Sequence, residues 1–226
     1  GTVWTKGGVE GAPRAPDSNG AGDGGDAGSA GMAPAVGPAR TRGGAGDGGD
    51  ADPFPAATPV QLATLVHAAP EGDEWIHEVK FDGYRLRLVL RDGKARALTR
   101  TGQDWTGRFP SIAQAAEALP VASAMLDGEA VVTNAKGISD FELLQDAVAS
   151  GHADKMLYEA FDLLYLDGTD LRGETLLARK ERLAELLAHS PLDSPLRYSE
   201  HVVGRGADYY AATCRLGLEG EVAKRG

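Results

Sequence analysis

The segment His77-Glu78-Val79-Lys80-Phe81-Asp82-Gly83-Tyr84-Arg85 puts a lysine at the end of a short strand-like run, with a carboxylate and a glycine behind it. A lysine at a strand end can point into a cleft while Gly83 lets the backbone turn sharply. Its amine is a nucleophile only after losing its proton, which requires burial or a neighbouring cation. A divalent metal and adjacent basic groups would meet that need. A surface lysine–aspartate pair on a hairpin fits the same residues, so this segment alone does not decide.

Three further segments could carry chemistry. Leu126-Asp127-Gly128-Glu129 sets a glutamate in an apolar strand, where a carboxylate is costly unless it meets a hydrogen bond, a cation or a metal. Phe161-Asp162-Leu163-Leu164 offers an aromatic ring whose default place is the core. Glu219-Gly220-Glu221-Val222-Ala223-Lys224 holds three charged groups; alternation puts Glu219, Glu221 and Ala223 on one face and Lys224 on the other, unless Gly220 bends the strand. The five histidines have no metal-ligand spacing. Trp105 reads as a packing anchor, with DNA stacking as the alternative, and Cys214 as a buried small hydrophobe.

The elements that must position these groups are legible in the pattern. Residues 75–80, 84–90, 94–99, 125–133, 156–166 and 219–224 read as strands. Leu86, Leu88 and Leu90 share one face of the second strand, opposite Arg85, Arg87 and Arg91, and Asp92-Gly93 turns it into the third. The fourth strand is interrupted at Asp127-Gly128-Glu129. Helices are expected over 110–119, 139–148, 174–188 and 207–216, the last stopped by Gly217. In the helix over 174–188, Leu176, Leu177, Leu183, Leu186 and Leu187 form the apolar face, leaving Arg179, Lys180, Glu181 and Arg182 to water. Hairpins and helices in mixed order give an α+β fold, and neither a Walker-type loop nor a Gly-x-Gly-x-x-Gly turn is present.

The 226 residues hold no apolar run long enough to span a bilayer and no basic-then-apolar leader, so no membrane association is expected. One cysteine excludes an internal disulfide framework and fits a reducing cytosol. A net charge of −10 confines any DNA contact to a local basic surface. Residues 1–50 contain 16 of the 31 glycines and repeat Ala-Gly-Asp-Gly-Gly-Asp-Ala at 21–27 and 45–51. Residues 1–52 therefore read as a flexible, disordered linker or tail, and 53–226 as one folded domain. A calcium-binding repeat would need a regular hydrophobic position that these copies lack.

Taken in order, Lys-x-Asp-Gly, a basic turn at Arg100, Asp-Gly-Glu, Phe-Asp-Leu-Leu and Glu-Gly-x-x-x-Lys resemble the covalent nucleotidyltransferase superfamily of ATP-dependent DNA ligases, RNA ligases and capping enzymes. The strings EWIHEVKFDGYR, LTRTGQDWTGRFP, LDGEAVV, AFDLLYLDGTDLRG, LRYSEHV and CRLGLEGEVAKR are similar to the ligase domain of bacterial end-joining ligase D, across about residues 57–225. The resemblance implies an ATP-grasp-like nucleotidyltransferase adenylation domain of antiparallel sheets flanked by helices. Lys80 would attack the α-phosphate of ATP and hold AMP as a phosphoramide, with Glu78 beside the adenine amine and Asp82 shaping the pocket. Arg85 would approach the nucleotide or the DNA 5′-phosphate, Arg100 would add charge near phosphate, and Phe161 would stack on adenine. Glu129 would reach the ribose or Mg²⁺ (or Mn²⁺), Glu219 a second metal position, and Lys224 the phosphates.

The partners so implied are nicked or broken duplex DNA and a Ku-type end-binding protein, for a monomer in the bacterial cytosol or nucleoid. Two departures qualify this. Glu221 stands where the family usually carries an apolar residue, which predicts an extra charge near the phosphates or facing solvent. After Gly226 the family's Trp-x-Lys-x-Lys motif and OB-fold are missing, which predicts weakened activation of ATP. The alternatives are a non-catalytic nucleotide- or partner-binding module and an RNA ligase or capping-type enzyme.

Overall fold

The computed structural model describes residues 2–6 and 60–226, which belong to one compact unit. In chain order it begins with strands β1 (Thr2–Lys6), β2 (Thr64–Leu65), β3 (Trp75–Val79), β4 (Tyr84–Arg91) and β5 (Lys94–Thr99). Helix α1 (Pro110–Glu117), β6 (Ser123–Val131), α2 (Phe141–Ser150), β7 (Leu157–Leu166) and β8 (Thr169–Asp170) follow. The chain closes with α3 (Leu176–Leu187), β9 (Leu196–Tyr198), β10 (His201–Val203), α4 (Gly206–Leu216) and β11 (Gly220–Arg225).

The strands form two sheets, β10-β3-β11-β1-β2 and β5-β4-β6-β7-β8, with β9 also on β7. Only β1–β2 and β7–β9 pair parallel among the described strands, so the fold is the expected α+β arrangement of mainly antiparallel sheets with helices. The β4–β5 hairpin turns on Asp92 (φ 52°) and Gly93 (φ 70°), the left-handed pair that a two-residue turn requires. The leucine face of β4 is buried, and Leu86, Leu88, Phe109, Ile112, Tyr158 and Leu183 lie in the main core. Trp105 packs edge-on against Tyr84 at 5.2 Å, the anchor role expected of it.

Four expectations are corrected. Thr2–Lys6, assigned to the linker, are a strand; Thr-Val-Trp-Thr has the β-branched and aromatic composition of one. The rest of the expected linker and both its repeats lie outside the described residues. β6 runs through Asp127-Gly128-Glu129 without interruption, and the irregularity is confined to register shifts against β7. Lys180 is not turned to water but fully buried, because it shares the stripe of Leu176, Leu183 and Leu187 on α3. Cys214 is half-buried only.

Candidate active site

Lys80 directly follows β3, and its amide donates to the Gly220 carbonyl at 3.0 Å, tying it to the start of β11. The next turn is fixed by Gly83, where a Cβ would run into the Ala130 carbonyl oxygen and the Val131 side chain of β6. Only a glycine lets the nucleophile's loop pass this close to β6, the neighbour of β4 in its own sheet. The Lys80 ammonium, 27% exposed, is paired with the Glu219 carboxylate and lies 5.1 Å from the centre of the Trp4 ring. Glu219 precedes β11 and so escapes strand alternation, which is how both it and Lys224 reach the site. Burial pushes its carboxyl up against the pull of Lys80 and Lys6, and its Oε2 is buried without a partner.

Lys80 borders a cavity of about 630 Å³ between the sheets, lined also by Thr175, Leu176 and Arg179 at the start of α3. Glu78, Lys80, Arg85, Arg100, Glu129, Phe161 and Lys224 all line it. At its back Glu78, 2% exposed, receives the buried Lys180 ammonium on Oε1 at 2.5 Å and Lys224 on Oε2. Burial alone would raise the Glu78 carboxyl, but the two ammonium groups overcome it and hold the carboxyl below its usual range. Lys180 also donates to the Ser199 carbonyl at 2.9 Å, and burial lowers its own proton affinity.

Phe161 presents its ring to the cavity, with the Lys224 ammonium 4.3 Å and the Arg85 guanidinium 5.2 Å from its centre. It is therefore not the core residue its apolar neighbours suggest; β7 places it on the cavity face, half-buried. Arg85 is gripped by both Asp127 oxygens at 3.1 and 2.8 Å and donates to the Gln61 carbonyl at 2.7 Å. Asp82 is not a wall of the cavity: its amide donates to the Ser139 hydroxyl at 3.0 Å, and burial raises its carboxyl despite nearby Lys80. The Glu129 carboxyl is pushed up to about 8 by burial, with Arg85 and Lys80 pulling the other way.

No group of three or more His, Cys, Asp or Glu gathers among the described residues. Glu129 and Glu219 nonetheless fit a hard, oxygen-liganded cation. Burial, with the Asp127 and Glu219 charges adding to it, holds the Glu129 carboxyl high, and Glu219 has an idle buried oxygen.

Glu221 does neither thing expected of it. It lies fully buried on the sheet face away from the cavity, where Thr5 Oγ1 donates to it at 3.0 Å and His77 Nδ1 stands 3.6 Å away. The sequence reading also missed Lys180, the Asp127 clamp on Arg85, and Arg179, whose guanidinium is paired with Asp162 at 2.7 and 2.9 Å. For Lys180 the signal was present: a lysine four residues after Leu176 and three before Leu183 sits on the apolar stripe.

A sequence profile of the ATP dependent DNA ligase domain matches residues 57–226. The chain is 43% identical over 192 residues to the multifunctional non-homologous end joining protein LigD of Pseudomonas aeruginosa, covering 85% of this chain and 22% of that protein. The multifunctional non-homologous end joining DNA repair protein LigD of Mycobacterium tuberculosis is 37% identical over 158 residues, 70% of this chain and 20% of that protein. Among solved structures, a mycobacterial DNA ligase D complexed with ATP and MES matches with a TM-score of 0.62 and 36% identity, over 73% of this chain and 52% of that one. The ligase domain of M. tuberculosis LigD matches with a TM-score of 0.60 and 34% identity, over 69% and 50%. The chain thus spans about a fifth of the curated LigD relatives and about half of these ligase-domain chains. The profile match takes in well over half of the chain and every cavity residue named above, so the chain belongs to the ATP-dependent DNA ligase domain family.

Proposed function

We propose that this chain is the adenylation domain of an ATP-dependent, end-joining DNA ligase. The observation that carries the reading is Lys80 at the end of β3, in contact with Glu219 beside a cavity that also holds the Phe161 ring and a fixed carboxylate. Lys80 Nζ attacks the α-phosphorus of ATP; the N–P bond forms as the bond to the pyrophosphate oxygen breaks, and pyrophosphate leaves. Before attack the ammonium must lose a proton, and Glu219, its contact partner with a carboxyl already raised by burial, is placed to take it. Phe161 stacks on the adenine, and the Glu78 carboxylate, held by Lys180 and Lys224, orients the base end.

Glu129 and Glu219 would hold Mg²⁺ or Mn²⁺, which when bound neutralises charge gathering on the phosphates. Arg85 and Arg100 add fixed positive charge on the same wall. AMP then passes from Lys80 to the 5′-phosphate of nicked or broken duplex DNA, and a 3′-hydroxyl displaces it to seal the strand. The reading places the protein, as a monomer, in the bacterial cytosol or nucleoid, with a Ku-type protein delivering ends. No helix among the described residues is long and apolar enough to cross a membrane.

The test is incubation of the chain with ATP labelled at the α-phosphate and Mg²⁺, followed by denaturation. Label retained by the native chain and lost in Lys80→Ala supports the reading. A folded chain that takes no label would overturn it and leave a nucleotide-binding module.

A further inference from the structure

β1 lies outside the residues matched by the ligase-domain profile, yet it is built into the sheet that carries Lys80. Its five residues pair antiparallel with β11, from Thr2 opposite Lys224 to Lys6 opposite Gly220. The Trp4 carbonyl accepts from the Val66 amide at 2.9 Å, and the Tyr210 hydroxyl donates to the Lys6 carbonyl at 2.7 Å. Thr5 Oγ1 donates to Glu221. One oxygen of the buried Glu221 carboxyl on β11 therefore has its hydrogen-bond donor on β1, while Oε2 is buried with no hydrogen-bond partner.

Strand alternation sends Val3 and Thr5 to the Glu221 side, and Thr2, Trp4 and Lys6 to the cavity side. Thr2 lines the cavity. Trp4 stands opposite Val222, which stands opposite Glu78; one step along, Lys6 stands opposite Gly220, whose carbonyl holds the Lys80 amide. From this face the Trp4 ring meets Lys80, whose ammonium lies 5.1 Å from its centre. The ring and the Glu219 carboxylate thus meet the same ammonium and restrict where it can swing.

We propose that β1 is a working wall of the adenylation cavity and that Trp4 is a positioning residue for Lys80. The inference rests on Lys80 being the nucleophile. An aromatic face against a half-exposed cation narrows the side chain's conformations to those near Glu219 and the cavity, at no cost in contacts to ATP itself. Its removal should slow phosphoramide formation and leave ATP affinity largely intact.

The experiment compares the full chain with Trp4→Leu and Trp4→Phe in single-turnover labelling by α-labelled ATP, across ATP concentrations, with melting curves alongside. Leucine keeps bulk and the main-chain ladder but has no ring face; phenylalanine keeps the face. The expected result is a fall of about 3- to 30-fold in the limiting rate for Trp4→Leu, with ATP KM within about 2-fold and most of the rate recovered in Trp4→Phe. Full-rate labelling of Trp4→Leu would overturn the role of β1 while leaving Lys80 as nucleophile. An equal loss in both variants that tracks a fall in melting temperature would overturn it too, showing packing only. An unlabelled native chain would instead overturn the nucleophile itself, and this inference with it.

Discussion

Lys180→Met tests the buried charge cluster on which the base end of the cavity depends. Methionine keeps an unbranched aliphatic stem on the α3 stripe but removes the ammonium from Glu78 Oε1, from the Ser199 carbonyl, and from its position 4.7 Å from the Tyr198 ring centre. Removing one partner of a buried ion pair costs about 3–5 kcal/mol when the remaining charge is left alone. Here Lys224 still holds Oε2, and the ammonium no longer has to be dehydrated, so the expected loss is about 2–3 kcal/mol. For a domain of this size that lowers the melting temperature by about 5–10 °C. Denaturant melts would measure it, and a cycle with Glu78→Gln should return a coupling of about 1–3 kcal/mol. The folded-state carboxyl of Glu78 lies below its usual value, so its stabilising effect is complete above the unfolded-state value and fades as pH falls through the folded one. The gap between native protein and variant should therefore narrow in acid. A variant within about 0.5 kcal/mol of the native protein at pH 7, or a gap that widens in acid, would refute the reasoning.

Phe161→Leu should raise ATP KM by about 5- to 10-fold, with the rate at saturation little changed, because an aliphatic side chain cannot stack on the base; an unchanged KM would take Phe161 out of the nucleotide site. Gly83→Ala should cost at least about 2 kcal/mol in denaturant melts, since its methyl meets the Ala130 carbonyl; a neutral result would mean that β6 can give way there. The Glu159 carboxyl is raised by burial to about 7, against the pull of Arg197. A raised folded value favours the neutral form, so its contribution is complete below the unfolded value near 4.5 and is lost as pH climbs through 7. Glu159→Gln should flatten that decline by about 2 kcal/mol, and an unaltered pH slope would show the group to be ordinary.

What the sequence disclosed and what it withheld divide along a physical line. Local pattern was enough for β4, β5, α1, α3 and α4, because leucine alternation, Asp92-Gly93, Pro110 and Gly217 act within a few residues. Motif order was enough to bring Lys80, Glu78, Phe161, Glu129 and Lys224 to one cavity. Pairings between distant segments had no local signature. Lys180 meets Glu78 from 102 residues away, and Asp127 meets Arg85 from 42. Thr5 is seen to meet Glu221 only once β1 and β11 lie side by side. Spacing puts Lys180 on the apolar stripe, but nothing local says which carboxylate across the core it meets.

The β1–β11 ladder also bears on which strand opens first. The Thr5–Glu221 contact joins residues 216 apart, whereas the β4–β5 hairpin closes across two. On its outer side β1 is held only by the two-residue pairing with β2, so it is expected to open ahead of β3, which is paired on both sides. Amide protons of residues 2–6 should then exchange through a local opening well before those of β3, without global unfolding. The nucleophile's aromatic neighbour thus rides on a strand that is expected to open before the one that carries the nucleophile.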